Sequence, residues 1–292
     1  MRTGNTSVAA PTGYQRPPGL TGWLLLSPLL LWVALFVVAP TAIMLVYSFG
    51  RRGTLGGVVL DFTMDNYAAV LDPTYLKIVV RSILYSGLTT IICLVMGYPV
   101  AYYIGRADAR WRNLLLIMVM IPFWTSFLIR TYAWVTILKN EGLLNGLLIQ
   151  WQLITQPFEM LYTPAAVILG LVYTFLPFMI LPIYTSVEKL DNALVEAAFD
   201  LGAGPVRAFS RVIVPMTSPG ITAGILLVFI PALGLYAVND ILGGGKVDMI
   251  GNIIENQFKG NARNWPFGSA LGITLLLAFG VAFWFTGRRQ EE

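Results

Sequence analysis

The chain has 292 residues, of which 57% are hydrophobic and 12% are charged, and its formal net charge is +4 at pH 7. So large an apolar share with so few charges excludes an ordinary soluble core and indicates a membrane protein. The sequence has no histidine and only one cysteine, Cys93, which argues against a histidine-based catalytic triad, an ordinary zinc site and a disulfide framework. It also has no basic stripe with interleaved aromatic residues, so we expect no nucleic-acid partner.

The chain begins with a polar segment and continues as a series of long apolar segments. Residues 1–22 are rich in Pro, Gly, Thr and Ser, which predicts a flexible tail. The first apolar segment is too long for the core of a signal peptide, so we interpret it as a retained span. Six segments are each close to the roughly 20 residues that cross the hydrocarbon as a helix. They are residues 23–49, 79–104, 114–138, 164–187, 221–236 and 267–285.

The orientation follows from the basic residues in the loops. The short loop of residues 105–113 carries Arg106, Arg110 and Arg112. Loops rich in Lys and Arg stay on the cytoplasmic side, so this loop is predicted to be cytoplasmic and, with six spans, so are both termini. The outer loops are then residues 50–76, 139–163 and 237–264.

A single cation, Arg130, lies inside the third predicted span, in the stretch IPFWTSFLIRTYAWV. At ~1.5 Å per residue it is ~12 Å from the predicted outer end, which is farther than snorkelling covers. An unpaired charge at that depth is costly and marks a functional hypothesis. We favour an inward-facing structural or gating pair with an acid of a partner subunit over direct contact with substrate.

A charged segment, DNALVEAAFDLGAGPVRAFSRVIVP, separates the fourth span from the fifth. Asp191 or Asn192 can cap a short helix, and Gly202 can end it, because glycine tolerates the left-handed turn. Glu196 and Asp200 lie four residues apart and therefore place two carboxylates on one face of that helix. Such a pair of like charges favours a cationic neighbour.

A second short helix is predicted after Gly204, with Pro205 in its first turn. Arg207 and Arg211 follow at the same four-residue spacing, so an acidic helix is followed by a basic one. Spacing alone leaves two interpretations open. The two helices form a self-paired hairpin at the membrane surface, or they present their charges to another protein.

The segment resembles the EAA loop of ATP-binding-cassette importer permeases. Glu196-Ala197-Ala198, then Gly202, then Val212-Ile213-Val214-Pro215 follow the pattern EAA, G and I-x-L-P, with valine in place of the usual isoleucine and leucine. The resemblance implies that residues 188–219 form a cytoplasmic loop whose helix docks into a groove on a separate ATPase subunit. The coupling residues that it implies are Glu196, Ala197, Ala198, Asp200, Gly202 and Pro215.

Further stretches extend the resemblance from residue 22 to residue 285. They are LDPTYL, GYPVAYY, IPFWTSFLIRTYAW, TPAAVILGLVYTFLPFMILPIYTSVEKLD and NWPFGSA. These stretches resemble the B-type permease subunit of bacterial spermidine/putrescine importers, and a relative devoted to putrescine shares many of them. The resemblance implies a type I ABC importer permease fold in the bacterial inner membrane. The implied partners are a second six-span permease, two cytoplasmic ABC ATPase subunits and an external polyamine-binding protein.

The chain itself is not expected to bind ATP. Its nearest approach to a phosphate-binding loop is Gly243-Gly244-Gly245-Lys246, but Asp240 stands where an earlier glycine is required and Val247 stands where a hydroxyl residue is required. We interpret these glycines as a flexible outer turn. No cofactor is expected in this chain, and ATP with magnesium belongs to the partner ATPase.

The translocation path of a polyamine calls for carboxylates and aromatic faces, because ammonium groups bind both. Tyr236 and Asp240 lie four residues apart at the outer end of the fifth span, and Glu255 follows in the next loop. Trp124 offers an indole from the third span, where Arg130 also lies. Each has an alternative interpretation as an interfacial aromatic residue, a solvated acid or a structural cation.

The sequence therefore predicts an all-α, polytopic permease domain with six transmembrane helices over residues 23–287, between cytoplasmic tails of residues 1–22 and 288–292. The alternatives are a permease for another small cargo, a secondary transporter or channel, and a membrane-embedded enzyme. No internal inverted repeat is evident, which disfavours the transporter, and no nucleophile with its base is visible, which disfavours the enzyme.

Overall fold

The structure is a computed structural model that describes residues 20–53, 57–259 and 263–288. Most of the first predicted tail and residues 289–292 of the second lie outside these residues. The helices are α1 (Leu20–Val33), α2 (Ala39–Ser48), α3 (Asp65–Val70), α4 (Pro73–Arg106), α5 (Ala109–Met120), α6 (Phe127–Leu138), α7 (Leu143–Gln150), α8 (Pro164–Glu188), α9 (Asn192–Asp200), α10 (Pro205–Ala208), α11 (Val214–Met216), α12 (Ser218–Gly234), α13 (Tyr236–Gly243), α14 (Ile250–Lys259) and α15 (Trp265–Arg288). The only strands in the described part of the chain are the antiparallel two-residue pair β1 (Arg51–Arg52) and β2 (Val58–Val59).

The long helices coincide with the predicted spans. Three of them are long and apolar enough to cross a membrane, namely Gly22–Ser48, α4 and α8. Two bent helix pairs raise the number to five when each pair counts as one span, and α15 begins with a further apolar stretch, Trp265–Gly280. The all-α polytopic architecture is thus confirmed, while the total of six spans stays a prediction.

The third predicted span is not one straight helix. Ala109–Trp124 and Phe127–Gln150 meet at an angle of 86°. A short 3₁₀ turn with Pro122 in its first turn ends the first part, and Thr125 and Ser126 are extended. A depth for Arg130 reckoned along a straight helix is therefore wrong, because the chain turns sharply four residues before it.

Two prolines follow π-helical turns. The amide of Ala39 donates to the carbonyl of Ala34, one residue before Pro40, and the amide of Val214 donates to that of Phe209, one residue before Pro215. Proline has no amide hydrogen and cannot continue the i to i−4 ladder, so the wider turn keeps the helix running through it.

The core is a three-helix contact of α4, α8 and α12. Gly220 and Gly224 place the backbone of α12 directly on α8, since a Cβ on Gly220 would lie 2.4 Å from the carbonyl oxygen of Pro182 and one on Gly224 would lie 2.7 Å from Sδ of Met179. Small residues four positions apart allow two helices to approach each other this closely. α8, which precedes the charged segment, and α12, which follows it, are thereby in direct contact.

The loop between the fifth and sixth predicted spans is mostly helical. α12 ends at Gly234, and α13 starts at once after the extended residue Leu235. Gly244 and Gly245 have φ of +56° and +71°, so they form the turn predicted for the glycine run. α13 packs on α8 and α14, which places the polar residues of α13 and α14 side by side.

Candidate coupling and cargo sites

The acidic helix α9 has the boundaries that its sequence predicts. The Asp191 carboxylate accepts from the amide of Ala193 at 3.0 Å and so caps the first turn. At the other end Gly202 has φ +81°, and the amides of Gly202 and Ala203 donate to the carbonyls of Phe199 and Ala198. This pair of bonds is the Schellman arrangement, which requires a left-handed residue at Gly202.

The surface of α9 and of the turn after it is left open. Glu196, Ala197 and Asp200 are exposed, and so are the large apolar side chains of Leu201, at 89%, and Val206, at 81%. Apolar side chains so open to solvent have no packing role within this chain, and a cluster of them marks an interaction site.

The self-paired hairpin is the interpretation that the structure contradicts. Among the described residues, no ion pair joins Glu196 or Asp200 to Arg207 or Arg211. α9 does contact α10 and the turn that follows it, but these contacts are not charge pairs, and Glu196 and Asp200 are exposed. The carboxylates of α9 therefore remain available to another molecule.

The second half of the segment leads into α12 through a bend of 67° at Thr217. Its hydroxyl is buried and donates to the carbonyl of Ile213 at 2.8 Å. The hydroxyl of Tyr98 on α4 lies 2.9 Å from the same oxygen, and because that oxygen's proton is already used, Tyr98 is the donor. The Tyr98 ring also stands edge-on to Phe209 at 5.4 Å. The bend is thus fixed to the core helix α4.

Two arginines contact the start of the charged segment, namely Arg106 at the end of α4 and Arg112 near the start of α5. A guanidinium nitrogen of Arg112 lies 2.7 Å from a carboxylate oxygen of Glu188, the last residue of α8. Arg106 donates to the side-chain carbonyl of Asn192 in the first turn of α9. The sequence predicts no role for Tyr98, Thr217 or Glu188, because their pairing partners are distant in the chain. The cluster of three arginines was the one signal available.

A mostly apolar groove of about 570 Å³ lies between α4 and the charged segment. Its lining includes Tyr98, Tyr102, Val195, Phe199, Val206 and Phe209. We refer to this groove, together with the exposed side chains of Leu201 and Val206, as the coupling surface.

Arg130 faces aromatic rings of its own chain. Its guanidinium carbon lies 5.4 Å from the ring centre of Phe123 and 5.7 Å from that of Tyr173. Its Nε and Nη1 are buried, and within the described residues neither has a hydrogen-bond partner. The prediction of an acid from a partner subunit therefore stays a prediction. Trp124, which lies at the bend next to this site, is 83% exposed.

A second polar site lies where α13 meets α14. Tyr236 and Asp240 are exposed and lie four residues apart on α13, a separate helix after the extended residue Leu235, and not on a continuation of the fifth span. The side-chain amide of Asn252 donates to the Asp240 carboxylate and, at 3.3 Å, to the carbonyl of Tyr236. Asn252 in turn accepts from the side-chain amide of Asn239, which also donates to the Val247 carbonyl at 2.7 Å. The network fixes the orientation of the Asp240 carboxylate.

Glu255 and Lys259 complete this site from α14. Nζ of Lys259 lies 3.2 Å from a carboxylate oxygen of Glu255, 3.3 Å from the hydroxyl of Tyr236 and 5.0 Å from the centre of the Tyr236 ring. These contacts raise the pKa of Lys259, the Glu255 carboxylate first. Sequence analysis missed Lys259, although the four-residue spacing from Glu255 was a usable signal.

The surroundings of the Asp240 carboxyl disfavour its ionised form, because its pKa is raised. Partial burial raises its pKa, the hydrogen bond from Asn252 acts in the opposite direction, and the neighbouring Glu255 charge raises it further. A cation placed beside Asp240 would offset both effects, so the site favours cationic groups. The structure thus brings together Tyr236, Asp240 and Glu255, and it leaves Trp124 and Arg130 on a different element, α5–α6.

Several helices long and apolar enough to cross a membrane, packed around a core of α4, α8 and α12, indicate an integral membrane protein. The chain belongs to the family described as binding-protein-dependent transport system inner membrane component, whose sequence pattern matches residues 94–288.

Curated relatives cover most of the chain. The spermidine/putrescine transport system permease protein PotB of Salmonella typhimurium (strain LT2) is 46% identical over 250 residues, which are 86% of this chain and 87% of that protein. The protein of the same name from Escherichia coli (strain K12) is 44% identical over 260 residues, 88% of this chain and 94% of its own. The predicted kinship with permeases of this type is confirmed.

The fold is also that of a solved transporter. A chain of a bacterial alginate ABC transporter, crystallised in complex with an alginate pentasaccharide-bound periplasmic protein, matches with a TM-score of 0.73 and covers 90% of this chain and 91% of its own. The two are 17% identical, so the likeness concerns the fold alone.

Proposed function

We propose that this chain is the permease subunit of an ATP-driven importer of spermidine and putrescine. The observation that carries the proposal is the identity of 44% to 46% with spermidine/putrescine permease proteins over most of the chain. In this proposal the chain forms half of the translocation path beside a second six-span permease. Two cytoplasmic ATPase subunits bind and hydrolyse ATP with magnesium, and an external binding protein delivers the polyamine.

The coupling surface is the proposed contact with the ATPase. Covering its apolar side chains, above all Leu201 and Val206, with another protein removes them from water and is therefore favourable. Glu196 and Asp200 offer carboxylates to basic residues of that protein. The small side chains of Ala197 and Ala198 permit close approach, and Pro215 lets the segment continue toward the bend at Thr217.

The proposed cargo site is the group of Tyr236, Asp240 and Glu255. An ammonium group that leaves water needs an opposite charge, since an unpaired charge in a low dielectric is disfavoured by several kcal/mol. A carboxylate supplies that charge, and the Tyr236 ring can cover methylene groups or make a cation–π contact. Trp124 and Arg130 are proposed to lie farther along the path, with Arg130 in a structural or gating role.

Replacing Asp240 by asparagine is expected to lower polyamine uptake several-fold without weakening assembly with the ATPase. Asparagine keeps the size and one acceptor oxygen but removes the charge that attracts ammonium. The measurement is ATP-dependent uptake of radiolabelled spermidine and putrescine by proteoliposomes that contain the whole complex and the loaded binding protein. Asp65→Asn, a change at an exposed acid of another outer loop, is the matched control.

Each outcome of this experiment has a definite meaning. Equal uptake by Asp240→Asn and the unaltered complex would make Asp240 a solvated loop acid. Failure of the unaltered complex to transport either polyamine would point to another small cargo. Uptake that persists with a non-hydrolysable ATP analogue would point to a secondary transporter or channel.

The proposed orientation places both termini and the charged segment in the cytoplasm. Single cysteines introduced near Asp65, Gln152 and Lys259 are expected to react with an impermeant maleimide added outside intact cells, while those near Asp108 and Ala203 are expected not to react. The natural Cys93 is fully buried, so it adds little background. Reaction at Ala203 from outside would overturn the orientation and, with it, the contact with a cytoplasmic ATPase.

A further inference from the structure

The cargo site already holds an ammonium group, that of Lys259. This group has two kinds of contact that recognise an alkylammonium ion, because a carboxylate oxygen of Glu255 lies 3.2 Å from it and the phenol oxygen of Tyr236 lies 3.3 Å from it, with the centre of the Tyr236 ring 5.0 Å away. A lysine side chain is a butyl chain that ends in a primary ammonium. Putrescine is a butyl chain with such a group at both ends, so the two ligands have the same chemistry.

The two side chains of the ion pair between Glu255 and Lys259 differ in their exposure to solvent. The Glu255 side chain is 18% exposed, whereas that of Lys259 is 66% exposed. The carboxylate is therefore built into the surface between α13 and α14, and the lysine reaches it from solvent. Because Lys259 reaches the carboxylate from solvent, water and dissolved cations compete with it for that contact, so another cation can displace the lysine.

The local charges also favour a cation with more than one ammonium group. Asp240 lies close enough for the charges of both Glu255 and Lys259 to act on its pKa. Lys259 pairs directly with Glu255 only, so Asp240 has no cation in contact with it among the described residues. A diammonium or triammonium ion that displaced Lys259 would supply one cation to Glu255 and a second to Asp240.

We propose that Glu255, Tyr236 and Asp240 form an ammonium subsite of the translocation path and that Lys259 is a tethered occupant of this subsite, which the primary ammonium of a polyamine displaces. The proposal rests on the proposed function for the identity of the cargo. Between cargo molecules Lys259 keeps the Glu255 carboxylate neutralised, so the empty path does not retain inorganic cations. When a polyamine binds, the Lys259 side chain moves into solvent, and an ammonium group of the polyamine takes its place beside Glu255.

The test uses the purified whole complex with Lys259→Cys. This substitution removes the lysine ammonium from the subsite and places a thiol next to it. The probe is the rate at which this thiol reacts with aminoethyl methanethiosulfonate, which carries an ammonium, compared with neutral methyl methanethiosulfonate. Putrescine, added at an ionic strength matched with potassium chloride, is expected to slow the cationic reagent about five-fold and the neutral reagent much less. Introducing Glu255→Gln beside Lys259→Cys is expected to abolish this protection.

Three results would overturn the proposal. They are a reaction rate with the cationic reagent that putrescine leaves unchanged, equal slowing of both reagents, and protection that persists with Glu255→Gln. Because protection is measured without transport, its failure is distinct from failure of the proposed function, which is a lack of polyamine uptake by the unaltered complex. Lys259 is exposed, so the substitution is tolerated, and retention of the ATPase subunits on gel filtration verifies assembly.

Discussion

Replacing Gly202 by valine is expected to reduce ATP-driven uptake about ten-fold or more while the protein remains inserted in the membrane. Gly202 has φ +81°, and a β-branched residue in that conformation costs on the order of 1–3 kcal/mol. The cost falls on the Schellman turn that ends α9 and positions Leu201, so the coupling surface loses its shape. Uptake by proteoliposomes and the abundance of the subunit in membranes are the two measurements.

Gly204→Val is the matched control for this change. Both glycines are exposed, and a Cβ on either would meet no atom within 4 Å, so neither substitution creates a clash. They differ in backbone conformation, since Gly204 has φ −71°, which valine adopts freely. Loss of uptake in both variants, or in neither, would mean that the left-handed turn at Gly202 is not what matters for coupling.

Replacing Gly220 by valine is expected to prevent accumulation of the folded subunit. A Cβ there would lie 2.4 Å from the backbone oxygen of Pro182 and 2.5 Å from Oγ of Ser186, so α12 would have to move away from α8. Overpacking of this kind costs about 1–3 kcal/mol, and more where backbone must shift. The measurements are the amount of subunit in membranes and the temperature at which the purified complex aggregates.

The control for this change is Gly87→Val on α4, another glycine within a long helix. A Cβ at Gly87 would meet nothing within 4 Å, so the same added volume enters open space. Normal abundance of Gly220→Val together with an unchanged aggregation temperature would show that the α8–α12 contact is looser than this packing implies.

Much of the fold could be predicted from the sequence because its signals are local. Runs of apolar residues placed the long helices, and Asp191 and Gly202 placed the ends of α9, since a cap and a left-handed turn depend on a few adjacent residues. The sharp turn after Trp124 could not be predicted in the same way. Its sequence is as apolar as a straight span, and whether a proline bends a helix or ends it depends on packing around it.

The sites were predicted only in part, for the same physical reason. Tyr236 and Asp240 share a face because they are four residues apart, and this was predictable. The contacts of Tyr98 with Thr217 and of Arg112 with Glu188 join residues far apart in the chain, and no local pattern specifies such pairs. A glutamate and a lysine four residues apart usually form a solvated ion pair, so the sequence did not single out Lys259. Its contact with Tyr236, which lies far from it in the chain, is seen only in the structure.

The bend at Thr217 has a mechanical consequence. The charged segment meets the core twice, through the end of α8 and through α12, and the hydroxyl of Tyr98 fastens the second connection to α4. If an ATPase subunit binds at α9 as proposed, we expect a movement of α9 to reach α4, α8 and α12 together, because all three are in contact. α8 alone has 25 residues and a length of ~37 Å, so a tilt of about 5° at one end would displace the other end by ~3 Å. In the proposed transporter, a small movement at the coupling surface would thus become a shift of a few ångströms at the opposite end of the helix.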